Sequence, residues 1–175
     1  FGAGHGSVTS APYSSGGSNV AIGMNAFYNH TSASGSVIIG RYAGDAISTG
    51  NGSVAIGQNA LSAQTTTGET VAIGYDAGKV YNQTGGVIIG HQAGTNIVNA
   101  EPVFIGRKAG YQMGGIGYGD FSTIVGTRAG ETLGQSAGYH TFLGHNAGGD
   151  LTVASGSTLI GAGAGGTGTT GNRNV

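Results

Sequence analysis

A short phrase, aliphatic-Gly-x-x-Ala, recurs nine times along the chain and restricts the fold more than any other feature. Its anchor glycines are Gly23, Gly40, Gly57, Gly74, Gly90, Gly106, Gly126, Gly144 and Gly161, spaced by 17, 17, 17, 16, 16, 20, 18 and 17 residues. Alanine stands three residues after every anchor (Ala26, Ala43, Ala60, Ala77, Ala93, Ala109, Ala129, Ala147, Ala164). Glycine follows that alanine in seven of nine copies, Phe27 and Leu61 being the exceptions. A large aliphatic precedes every anchor, from Ile22 and Ile39 to Leu143 and Ile160. A period this short and regular marks a solenoid, in which one repeat cannot bury its own apolar face and stacks on the next.

Each copy reads as a strand of four residues ending in a sharp turn, because β-branched residues cluster before the glycine and small or polar ones follow it. Frequent glycine and the missing 3.6-residue period exclude helix. An apolar residue seven after several anchors (Ile47, Ile97, Met113, Leu133, Leu151) predicts a second, weaker strand in each linker. The expected architecture is therefore all-β, a parallel solenoid of about nine coils of 16–20 residues, extending roughly 43 Å at about 4.8 Å per coil. Residues 1–175 read as a single solenoid segment.

The strand is apolar at three successive positions. Valine or threonine stands three before each anchor (Val20 to Val103, then Thr123, Thr141, Thr158) and shares a face with the aliphatic just before the glycine. Between them, on the opposite face, lie Ala21, Ile38, Ala55, Ala72, Ile88, Phe104, Ile124, Phe142 and Leu159. A strand apolar on both sides requires cover on both sides. One face fills the coil; the other predicts packing against copies of the same chain in a closed homo-oligomer. Left uncovered, it would be an apolar stripe larger than soluble monomers tolerate.

Composition removes most other classes. Glycine accounts for 39 of 175 residues and charged residues for only 7%, against about 25% charged in ordinary domains. Collagen needs glycine at every third position, and disorder does not fit 38% hydrophobic residues in patterned clusters. Without cysteine there are no disulfides or thiolate metal sites. Six Lys/Arg against seven Asp/Glu provide no basic patch for nucleic acid and no polybasic arm, and no apolar run predicts membrane insertion. At the ends, Phe1-Gly2 matches the aliphatic-glycine corner with His5 in the alanine slot, and Asn174-Val175 falls where the next strand would begin. The expectation is an excerpt of a longer array.

Ser53 to Gly57, Asn19 to Gly23 and Thr70 to Gly74, each ending in Val-Ala-Ile-Gly, resemble the head repeats of YadA-like trimeric autotransporter adhesins. The longer form Ile-Gly-x-x-Ala-Gly, at Ile39 to Gly44, Ile73 to Gly78, Ile89 to Gly94 and Ile105 to Gly110, is similar to repeats in bacteriophage tail fibres. The resemblance covers nearly the whole chain. It implies a left-handed β-roll, three chains around one axis, and a rod that displays binding surfaces away from a virion or cell. The adhesin repeat is typically shorter than 16 or 17 residues, so the near-invariant Ala-Gly leans toward the fibre.

Motifs that carry chemistry are weak. His91 and His145 each follow an anchor glycine, and His140 and His145 are close in sequence with no third ligand, so exposed turn histidines are expected rather than a metal site. Gly161 to Gly166 spells G-x-G-x-x-G as the ninth copy of the structural repeat, with no helix to receive a phosphate. A hexad acyltransferase helix, the enzymatic alternative, needs an aliphatic six residues on, where Ile39, Ile56 and Ile73 are followed by Asp45, Ser62 and Lys79. Asn29-His30-Thr31, Asn51-Gly52-Ser53 and Asn82-Gln83-Thr84 match sequons by composition, and Thr65, Thr66 and Thr67 do not recur as an ice-binding Thr-x-Thr array. No catalytic trio and no cofactor motif stands in a recognisable order.

The irregular coils remain. Between Gly106 and Gly126 the spacing grows to 20, and solenoids place insertions on one face, often the binding face. Tyr111, Tyr118, Asp120 and Phe121 are the candidate receptor-binding residues, against the plainer reading that glycine permits a loop whose aromatics pack on the next coil. The longer spacing from Gly2 to Gly23, with Pro12 and Tyr13, is a second irregularity. The functional expectation is a non-enzymatic segment of a virion tail fibre, homotrimeric, associated with other fibre proteins and a host surface glycan or protein. A bacterial cell-surface adhesin head is the alternative.

Overall fold

A computed structural model describes residues 3–4, 15–97, 101–112, 121–133, 138–151, 153–165 and 170–172. Among the described residues eleven three-residue strands follow in chain order: β1 (Val20–Ile22), β2 (Val37–Ile39), β3 (Val54–Ile56), β4 (Val71–Ile73), β5 (Val87–Ile89), β6 (Val103–Ile105), β7 (Thr123–Val125), β8 (Thr141–Leu143), β9 (Val153–Ser155), β10 (Thr158–Ile160) and β11 (Thr170–Asn172). Nine of them, β1 to β8 and then β10, form one parallel sheet in sequence order. The register pairs equivalent repeat positions throughout, as in Val54↔Val71, Ala55↔Ala72 and Ile56↔Ile73. The all-β parallel solenoid is therefore the fold, each coil adding one strand beside the last.

The linkers depart from the sequence expectation. Among the described residues they hold no second strand except near the C-terminal end, where β9 and β11 pair in parallel. Residues seven after the anchors are nevertheless interior: Ile47, Tyr81, Ile97 and Leu133 are fully buried and Leu151 nearly so, with Met113 outside the described residues. Coil-to-coil bonds in the linkers mix backbone and side-chain partners: Gly52 N donates to the Ser34 carbonyl at 2.9 Å and Ser48 N to the Thr65 carbonyl at 2.7 Å, while Asn51 Oδ1 accepts from Ser34 N at 2.7 Å and Asn82 Oδ1 from Thr65 N at 2.9 Å. An apolar residue here marks burial, and short polar side chains supplement isolated backbone bonds that do not continue into a ladder.

The turn after each strand explains the invariant glycine and alanine. At Gly74, φ is +140°, and a Cβ would lie 2.4 Å from the carbonyl oxygen of Gly90 in the next coil. Both conditions exclude any other residue. Ala77 then closes the turn by donating its N–H to the Gly74 carbonyl at 3.3 Å, while its own carbonyl accepts from Leu61 N at 3.1 Å in the preceding coil. Its side chain is fully buried, as is that of Ala93. Ala77→Leu or Ala93→Leu is expected to destabilise by about 1–3 kcal/mol through overpacking. Exchanges at Gln58 or Tyr75, whose side chains are not buried, should stay within about 0.5 kcal/mol. Thermal denaturation of the four variants checks the interior assignment, and equal losses at both kinds of site would contradict it.

The core is a single column inside the coil. Its largest fully buried members include Phe27, Tyr81, Phe104, Phe142, Ile38, Ile88 and Ile124. The central strand residue points in, and a second contribution comes from the position after the corner alanine. Where the strand centre is large, that position is glycine: a Cβ on Gly110 would lie 2.7 Å from the Phe104 ring, and one on Gly148 2.5 Å from the Phe142 ring. Where the strand centre is Ala21 or Ala55, the same position holds Phe27 or Leu61, fully buried and left-handed at φ 55° and 52°. Ala72 is compensated further on, by buried Tyr81, whose hydroxyl donates to the Gly85 carbonyl at 2.8 Å. Coil volume is thus conserved by exchange between positions, as dense packing requires.

Candidate functional site

Because each coil repeats the last, equivalent side chains stack about 4.8 Å apart into columns along the rod. Four exposed features of these columns are candidates for function. The first is the outer face of the main sheet, where the residues flanking each buried centre are half-buried or exposed. Ile22 is 57% exposed, Leu143 49% and Ile160 68%, so the apolar stripe is uncovered in the single chain.

The second lies on the corner just past the anchors. Tyr75 stacks on His91 with ring centroids 5.3 Å apart and planes 14° from parallel. Asn59 Nδ2 donates to Asp76 Oδ1 at 2.8 Å, and the Arg41 guanidinium lies 5.0 Å from the Tyr42 ring centre. These contacts join successive coils or neighbouring residues and leave the corner mostly polar.

The third is an ionic cluster across two coils. Glu131, largely buried, accepts from Lys108 Nζ at 3.0 Å and from Arg128 Nε. Burial alone pushes the Glu131 carboxyl up, but hydrogen bonds and charge from Arg128 and Lys108 outweigh it and hold the group below its ordinary value of 4.5. A lowered carboxylate contributes stability that is present above the unfolded value and is lost as pH falls through the folded one. Acidification below about pH 4.5 should therefore loosen the junction of these coils. Amide exchange at Gln112, whose N–H donates to the Glu131 carbonyl at 2.9 Å, reads this locally. In Glu131→Gln the acid sensitivity should disappear, and an unchanged pH profile would contradict the assignment. Asp45 behaves oppositely: burial raises its carboxyl despite backbone hydrogen bonds, and among the described residues Asp45 Oδ1 has no hydrogen-bond partner.

The fourth is an aromatic pair two residues before the strands β7 and β8. Phe121 and Tyr139 are 55% and 66% exposed, and their rings stack with centroids 5.9 Å apart and planes 22° from parallel. Phe121 was predicted from sequence. Tyr139 was not, although it occupies the same offset before Thr141 that Phe121 holds before Thr123. Of the other predicted residues, Tyr111 is half-buried with Lys108 Nζ 4.9 Å from its ring centre, so one of its faces already carries a cation. Tyr118 and Asp120 lie outside the described residues.

The histidines divide. His91 and His145 are exposed on the turn as expected, whereas His30 and His140 are interior. His30 stacks on Phe27 at 4.6 Å with Nδ1 3.0 Å from the Phe27 carbonyl oxygen, and His140 packs against Phe142 at 5.0 Å. The apolar interior selects them as packing rings. Among the described residues no group of three or more His, Asp or Glu is placed to hold a metal, and no helix is long and apolar enough to cross a membrane. A shallow hollow of about 240 Å³ lies over the linkers, lined by Thr49, Thr66, Thr67, Thr84 and Glu69 among others. The Thr65 and Thr67 hydroxyls face Asn82 Oδ1 at 3.3 and 3.4 Å, so these threonines serve coil stacking. No family model, curated protein or solved structure matches the chain.

Proposed function

We propose that this chain is a structural segment of a bacteriophage tail fibre, a parallel homotrimeric rod that holds binding surfaces at a distance from the virion. One observation carries the reading: the outer face of the main sheet is apolar over β1 to β6, keeps one aliphatic beside a threonine on β7, β8 and β10, and is uncovered in one chain. The remaining surface is nearly neutral, with a formal charge of -1, so lateral association meets little repulsion. The Val-Ala-Ile-Gly copies favour a second reading within the same fold, the head of a bacterial trimeric adhesin. Neighbouring open reading frames separate the two: tail-assembly genes and a fibre chaperone domain on one side, a coiled-coil stalk and β-barrel anchor on the other.

The assembly is tested by charge placement. Ile56→Lys with Ile73→Lys, both on the outer face, should dissociate the oligomer while preserving the β-sheet circular dichroism. Ile88→Lys, which buries a charge inside the coil, should abolish that signal. An outer-face variant with undiminished mass would refute lateral packing through this face.

A further inference from the structure

We propose that Phe121 and Tyr139 form a stacking platform for a neutral pyranose sugar. The inference extends the reading of the chain as a display rod by giving this segment a ligand of its own.

The column two residues before each strand is left-handed throughout, with Gly35, Gly52, Gly85 and Gly156 at φ 63–75° and Ser18, Glu69, Glu101, Phe121 and Tyr139 at φ 52–70°. Glycine occupies this conformation without penalty, and a bulky aromatic there is an outlier. Coil stacking fixes the geometry, since Gly52 N donates to the Ser34 carbonyl at 2.9 Å and Gly156 N to the Gly138 carbonyl at 3.2 Å. The backbone at this position therefore does not call for an aromatic, and what the two rings contribute to the fold is their stack on one another. Two consecutive coils carry one nonetheless, and both rings remain exposed rather than packed into the core. Strained, exposed aromatics on a rigid scaffold indicate a binding role.

Geometry and charge then select the ligand. Rings 22° from parallel form a ladder and not the cage that encloses a quaternary ammonium. The next residue in the column is Gly156, so no side chain in that column covers the outer side of Tyr139. The charged members of the column are Glu69 and Glu101, both exposed, with no cation, which disfavours phosphates and acidic sugars. Two rings present far less than the roughly 1,000 Å² of a stable protein interface. A ligand with a flat C–H face, hydroxyls at its rim and no charge satisfies all of these conditions, and a pyranose has that form.

The experiment titrates the intact oligomer with maltohexaose, chitohexaose and mannohexaose to millimolar concentration while following the ring resonances of Phe121 and Tyr139 by NMR. At least one sugar should shift both rings saturably. Phe121→Gly with Tyr139→Gly should weaken that binding at least tenfold, with the melting temperature unchanged or raised and the sedimenting mass unchanged. The proposal is overturned if no sugar shifts the rings, if the double variant binds as before, if it melts lower, or if it changes mass, which would make the pair a contact between copies. A wild-type mass of one chain would instead count against the fibre reading and leave the platform standing on its own titration.

Discussion

Gly74→Ala is expected to prevent the chain from folding cooperatively. At φ +140° an alanine sits in a region open essentially to glycine alone, a strain of about 1–3 kcal/mol. Its Cβ would also fall 2.4 Å from the Gly90 carbonyl oxygen. That atom is backbone, held in place by the Gly90 N–H bond to the Ile73 carbonyl at 2.7 Å, and it cannot rotate away as a side chain would. Separating the coils to relieve the overlap weakens every parallel bond between β4 and β5. In an oligomer the change occurs once per chain. Circular dichroism and urea unfolding measure the loss, which should far exceed that of Gly161→Ala, where no described atom lies within 4 Å of the added Cβ. Similar losses at the two sites would show that coil-to-coil crowding is not what selects glycine.

The second large effect concerns the exchange of volume inside a coil. Phe104→Ala removes a fully buried ring and should cost about 3–5 kcal/mol. Gly110→Leu should also be costly, because its φ is +59° and its Cβ would meet the Phe104 ring at 2.7 Å. Together they recreate the pairing that Ala55 and Leu61 already make, with Leu61 fully buried at φ 52°. The double variant is therefore expected to be more stable than the sum of the two single losses predicts, by on the order of 1–3 kcal/mol of coupling. Strict additivity in a double-mutant cycle would mean that the two positions do not share one volume.

This compensation was present in the sequence, since Phe27 and Leu61, the exceptions to the Ala-Gly corner, both occur in coils whose strand centre is alanine. Reading it required knowing that the two positions face each other across the coil. The strands were legible because three signals coincide at each one: β-branched residues, an obligatory glycine, and a fixed register from coil to coil. The linkers were not, because Ile47 and Ile97 report only that a side chain is buried. A strand and an irregular segment that both turn one residue inward give the same apolar mark. Tyr139 was illegible for a related reason. Its coil is only one residue longer than the common 17, and nothing local to Tyr139 announces a left-handed backbone or a ring stacked on Phe121. Tyr111 stands beside the 20-residue spacing from Gly106 to Gly126, yet its ring is engaged by Lys108.

The outer sheet face links the fold to the proposed role. Its flanking residues, such as Val54, Ile56, Val71 and Ile73, remain half-buried even within the coil, because neighbouring rungs shield one another along the axis but nothing lies above them. Burial of apolar surface contributes about 25 cal/mol per Å², and a stripe of this kind repeated on every rung favours association over exposure. Sedimentation equilibrium of the isolated chain tests this most directly. The account predicts a species of three times the 17.0 kDa of one chain, persisting on dilution. A stable, well-folded species of 17.0 kDa would contradict it.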